Sequence, residues 1–171
     1  MNFNYKQYIP ANFSDSSRVW IYQGSRSFLP DEITEIKNTL HEFVAGWKSH
    51  GAAVKGFAGL FFDQFIVLMA DESNITVGGC STDSSVHLVQ SIEQMFKVQL
   101  LERQILAFVV NEKIALLPLS ELDQAVENNF IHANTLYFDN TVLTKKGLLE
   151  KWIISIKDCW LAKRIRFPEK I

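Results

Sequence analysis

Ala53-Val54-Lys55-Gly56-Phe57-Ala58-Gly59-Leu60-Phe61-Phe62 and Gln64-Phe65-Ile66-Val67-Leu68-Met69-Ala70 decide the fold of this chain. Both runs are strand-length and rich in apolar residues, and only Asp63 separates them. Runs apolar on both faces read as central strands of a sheet. Parallel strands need a crossover of about a dozen residues, so a one-residue join implies an antiparallel hairpin through Asp63.

Upstream, Val19-Trp20-Ile21-Tyr22 reads as a short strand of β-branched and aromatic residues. Pro30 suits a first helical position, and Asp31 and Glu32 suit the positive end of the helix dipole. Ile33, Ile36, Leu40, Phe43 and Trp47 then form one apolar helical stripe, and Gly51 is expected to stop it.

Downstream, Asp71 to Asn74 reads as a turn and Ile75-Thr76-Val77 as a third strand. A second helix is expected to begin around Ser81 to Ser84, burying Val86, Val89, Ile92 and Phe96. Gln104–Val110 and Lys113–Leu117 make a hairpin through Asn111-Glu112. Ser120 is placed to cap a short helix. Leu136-Tyr137-Phe138 reads as a last strand. Thr144 caps a final helix whose apolar face is Leu148, Leu149, Trp152, Ile153, Ile156 and Trp160. The order is β-α-βββ-α-ββ-α-β-α. Hairpins outnumber crossovers, so an α+β fold is expected, with about four helices packed on an antiparallel or mixed sheet.

The chain has 171 residues, of which 47% are hydrophobic. That length and composition suit one packed domain over residues 1–171. A net charge of -2 argues against a nucleic-acid partner. From Thr141 onward there are eight Lys/Arg against three acids, whereas the remainder has nine basic and sixteen acidic residues. A basic last helix is expected to be a solvated face before it is a docking patch. Residues 1–9 show no secretory start, and no apolar run is long enough for a bilayer. A cytoplasmic compartment is expected, with Cys80 and Cys159 both free.

One segment is hard to explain by folding alone. Gly78-Gly79-Cys80-Ser81-Thr82-Asp83-Ser84-Ser85 joins an apolar strand to an apolar helix. A helix start presents unpaired N–H groups and a partial positive charge, and glycines let a ligand approach closely. The combination favours an anion. The same field would favour a Cys80 thiolate, whereas the Asp83 carboxylate opposes both. One capping acceptor suffices for a helix, and this turn supplies five.

His50 ends the first helix in this reading, where the dipole favours a protonated imidazole; its other role is a base or acid near Cys80. His87 reads as solvated, His41 as polar-face and His132 as a loop residue. Cys80, Asp83 and His87 match no standard metal spacing, so no metal site is expected. Cys159, Trp47, Trp152 and Trp160 read as core. No Walker A spacing is present, and no cofactor is expected.

The segments Trp47-Lys48-Ser49-His50-Gly51 and Val77-Gly78-Gly79-Cys80-Ser81-Thr82-Asp83-Ser84-Ser85 resemble those of a family of small, uncharacterised bacterial proteins. Some members carry the label ABC transporter ATPase. The resemblance implies a cytoplasmic bacterial protein and supplies no reaction. The ATPase label finds no Walker A loop here.

Three functions compete. The first is binding of a small anionic ligand by Gly78, Gly79, Cys80, Ser81, Thr82, Asp83, Ser84 and Ser85. The second is a non-catalytic interaction protein, including a homodimer. The third is acyl or thiol transfer with Cys80 as nucleophile and His50 as base.

Overall fold

The computed structural model describes residues 3–165 and 167. The fold is α+β, and every strand pair among the described residues is antiparallel. The chain divides into two compact units, Asn2–Leu101 with Asn140–Leu149, and Glu102–Asp139 with Glu150–Ile171.

The first unit contains β1 (Arg18–Gln23), α1 (Pro30–Gly46), β2 (Lys48–Ser49), β3 (Ala52–Ala53), β4 (Lys55–Phe61), β5 (Phe65–Asp71) and α2 (Gly79–Phe96). Its main sheet has the order β1-β5-β4. The apolar runs quoted above are β4 and β5, paired from Phe61↔Phe65 out to Lys55↔Asp71. Three residues lie inside that closing pair: Phe62 and Asp63 have positive φ, and Gln64 N–H donates to the Phe61 carbonyl (3.1 Å). All seven β5 residues are buried, as expected of a central strand.

One sheet face packs on the two helices. Ile66 and Leu68 of β5 meet Ile36 and Leu40 of α1 and Leu88, Val89 and Ile92 of α2. Leu88 lies on the buried face in place of the expected Val86, which is only half-buried. Ser81 and Ser85 continue that face toward the helix start, and both are buried. Arg26 ties the helices together. Its guanidinium makes a two-pronged contact with Glu32 (2.7 and 2.8 Å) and donates to the Phe96 carbonyl (2.8 Å). Glu32 also accepts the Leu29 N–H, capping α1 from within its first turn.

Ile75-Thr76-Val77 is not a strand. Its polar groups are taken locally: Val77 N–H donates to Glu72 Oε1 (2.7 Å), and the Thr76 carbonyl accepts the Ser49 hydroxyl (2.8 Å). The first helix likewise ends at Gly46, before the expected stop at Gly51. His50 and Gly51, at φ 51° and 82°, instead form the turn of the β2–β3 hairpin.

The second unit contains β6 (Ile105–Val110), β7 (Lys113–Pro118), α3 (Leu122–Glu127), β8 (Leu136–Phe138) and β9 (Ile153–Ser155), in the sheet order β7-β6-β8-β9. Asn111 and Glu112, both at positive φ, turn the expected β6–β7 hairpin. Phe108, Tyr137, Leu122, Val126, Ile156 and Leu161 share its core. Ser120 lies in a 3₁₀ turn ahead of α3 and makes no side-chain cap.

The expected final helix is cut short. Thr144 does cap it, accepting the Gly147 N–H (3.1 Å), but α4 covers only Lys145–Lys151. Ile153–Ser155 then pairs with Leu136–Phe138 as β9. Two adjacent β-branched residues fit a pleated strand as well as a helix face, and the ladder decides between them. Trp160, expected in the core, is 39% exposed. The basic tail is therefore not one helical face. Lys145 is buried, donating to the Ala11 and Phe13 carbonyls, while Lys151, Lys157, Lys163 and Arg164 are exposed. Arg166, Glu169 and Lys170 lie outside the described residues, as do Met1 and Asn2 of the expected leaderless start. No described helix is long and apolar enough to cross a membrane.

A buried carboxylate fastens the far end of the β4–β5 ladder. Asp71 accepts from Lys55 Nζ (2.7 Å), from the Ser73 hydroxyl and N–H, and from the Ser14 N–H (3.3 Å). The Lys55 ammonium and the Ser73 hydroxyl hold its carboxyl well below the usual carboxylate range. A carboxyl depressed in the folded state stabilises it above the unfolded value near ~3.9, and that contribution is lost as pH falls toward the folded value. Urea unfolding should therefore find Asp71→Asn about 1–3 kcal/mol less stable at pH 6, with the gap to the parent narrowing below pH ~4.

Candidate functional site

The turn that opens α2 is held in place by Trp47. Its indole is buried against Phe43 and Trp20, with ring centroids 5.0 and 6.1 Å away. It lies so close to Gly56 that a Cβ there would sit 2.7 Å from Trp47 Cε3. The indole N–H donates to the Ser81 carbonyl (3.1 Å), fixing the first turn of α2.

The β2–β3 hairpin supplies the other contacts. Ser81 Oγ donates to the Lys48 carbonyl (2.9 Å), and Ser49 Oγ accepts the Gly78 N–H (3.2 Å). Ser49 is buried and bonded on both sides, since its hydroxyl donates to Thr76. It was not among the sequence candidates. The signal that finds it is His50-Gly51, a turn dipeptide between two short extended pairs.

Four hydroxyls of the turn are consumed by the fold. Besides Ser81, Thr82 Oγ1 donates to Gly78 O (3.2 Å), Ser84 Oγ to Cys80 O (2.9 Å) and Ser85 Oγ to Thr82 O (2.7 Å). A hydroxyl has one proton to donate, so none of these can also donate to an anion as the structure stands. Asp83 is exposed and does not cap α2; the N-cap position is Gly78, with no side-chain cap bond.

The backbone is what remains open. Gly78 O accepts the Ser81 and Thr82 N–H groups, at 3.2 and 3.1 Å. Gly79 N–H and Cys80 N–H find no acceptor among the described residues. These are the donors a helix start leaves unpaired. A Cβ built on Gly79 would meet nothing within 4 Å, so a side chain at that position has room. A Cβ on Gly78 would come 2.9 Å from His50 Nε2. The exposed imidazole of His50 therefore lies against the backbone immediately before the two open N–H groups.

A cavity of about 510 Å³ adjoins the next turns of α2, bordered by Phe43, Trp47, Lys48, Ser84, His87 and Ser91 among others. Ser84 is the one residue of the eight-residue turn that lines it.

No protein-family model matches the chain, and neither a curated protein nor a solved structure is similar to it.

Other chemistry-bearing residues fall elsewhere. Arg18 stacks over the Trp20 ring (4.7 Å to the centroid). His132 accepts the Asn134 N–H through Nδ1 in a second-unit loop. His41 is exposed on α1. Cys159 is half-buried, packs against the second-unit core and donates to Ile156 O (3.2 Å), and burial pushes its thiol up. Cys80 is free and exposed. No group of three or more His, Cys, Asp or Glu is arranged for a metal ion among the described residues.

Three outcomes follow from this geometry. Iodoacetamide at pH 8 should alkylate Cys80 well before Cys159, because a buried thiol with raised pKa holds less thiolate; peptide mass mapping reads the order. Gly79→Ala should raise stability by about 0.4–1 kcal/mol, since the site is open and the unfolded chain loses freedom. Gly78→Ala should keep the fold but move the His50 imidazole away, seen as a shift of its ring resonances.

Proposed function

We propose that this chain binds a small anionic molecule at the first turn of α2. The observation that carries the reading is the pair of unpaired N–H groups at Gly79 and Cys80, with His50 against the residue just before them. An 18-residue helix with two open amides at its start offers fixed positive charge without a flexible cation to order.

One side chain stands beside the amides, and the hairpin that carries it adds an exposed lysine. His50 lies against Gly78, and Lys48, two residues earlier, is exposed on the same hairpin. The hydroxyls of Ser81, Thr82, Ser84 and Ser85 serve as struts, so the ligand is held by backbone amides and His50. Asp83 is one helical turn past Gly79, and helical side chains lean toward the N-terminus. At ~6 Å in water two unit charges interact by roughly 0.7 kcal/mol, so Asp83 weakens anion binding about threefold. That repulsion favours a singly charged group, such as a carboxylate, over a fully ionised phosphate.

The decisive variant is Gly79→Pro. Proline is well tolerated at the first helical position, and Gly78 is already extended (φ −77°, ψ 178°), as a residue before proline must be. The substitution deletes one of the two donors while leaving the helix. Titration with acetate, citrate and inorganic phosphate by calorimetry should show binding that Gly79→Pro weakens about tenfold and Asp83→Asn strengthens about threefold. Absence of binding by all three anions, or equal affinity in Gly79→Pro, contradicts the reading.

A further inference from the structure

β4 is an edge strand. It pairs with β5 on one side and with no strand on the other among the described residues. From Gly56 to Leu60 its outward N–H and C=O groups meet no partner there. Proteins usually blunt such an edge with a charge, a proline, a bulge or a covering segment. Here the flanks rise and the edge stays open. A cavity of about 600 Å³ adjoins it, lined by Phe57, Gly59, Leu60 and Phe61 of β4 together with Tyr5, Tyr8 and, from α1, Lys37. Leu60 and Phe61 both line it, although successive strand residues point to opposite faces. The space therefore follows the strand edge, not one sheet face.

The lining sets the chemistry. Phe57 and Phe61 close together over Gly59, where a Cβ would lie 3.0 and 2.8 Å from their rings. They make an aromatic wall for apolar side chains. Lys37 is exposed, has no ion-pair partner among the described residues, and has no acid three or four positions away on α1. Its ammonium is available to a carboxylate.

We propose that the β4 edge receives an extended peptide by strand addition, one that alternates apolar residues and carries an acidic side chain opposite Lys37. Backbone hydrogen bonds give affinity in this mode, and the wall and the lysine give selectivity. Five residues, Gly56 to Leu60, span about 17 Å and suit a short segment.

A phage-displayed random heptapeptide library, selected on the full chain and on Lys37→Glu, tests this. Lys37 is exposed, so the variant keeps the fold. The expected result is enrichment of alternating apolar sequences with an acid on the parent, and of a basic residue in its place on Lys37→Glu. N-methylation of alternate backbone amides in the best synthetic peptide should weaken binding at least tenfold. No enrichment, enrichment indifferent to Lys37→Glu, binding indifferent to N-methylation, or a dimer joined through β4 would each overturn it.

Discussion

The seat of Trp47 on Gly56 governs the geometry of the first unit. A bulky indole is placed where α1 ends, over a strand position that has no side chain. With Phe43 and Trp20 around it, the ring is nearly sealed from water. Its one polar atom must find a partner when buried, and it finds the Ser81 carbonyl. That requirement places the start of α2 beside the β2–β3 hairpin, and with it Gly79, Cys80 and His50. Tryptophan supplies apolar area and a single donor, so packing and positioning are done by the same side chain.

The small polar residues after Gly79 act in the same cause. Ser81 reaches the hairpin backbone, and Ser85 is buried on the face that meets the sheet. Thr82, Ser84 and Ser85 bond to carbonyls three or four residues back, a habit of hydroxyls inside helices. Their surplus is thus largely structural. What the fold leaves over is narrower: two amides and an imidazole.

The hairpins were legible because their signals are local. β4–β5 and β6–β7 each consist of apolar runs around two residues that the turn forces to positive φ. The β2–β3 hairpin was hidden because Trp47-Lys48-Ser49-His50-Gly51 also reads as the end of a helix. Ile153–Ser155 was hidden for a different reason. Its residues satisfy a helical stripe, and only the distant pairing with Leu136–Phe138 makes them a strand. In the site, Gly78, Gly79 and His50 could be singled out from sequence. The tie of Ser81 to the hairpin could not, because it depends on where the Lys48 carbonyl arrives.

The account rests on two amides being open to a visitor. An amide-resolved NMR titration with sodium acetate, at constant ionic strength, addresses them directly. The account predicts that the Gly79 and Cys80 N–H resonances move downfield and saturate, with the His50 ring following and β6–β9 unmoved. Resonances for Gly79 and Cys80 that stay fixed, or drift without saturating like the rest of the chain, would contradict it.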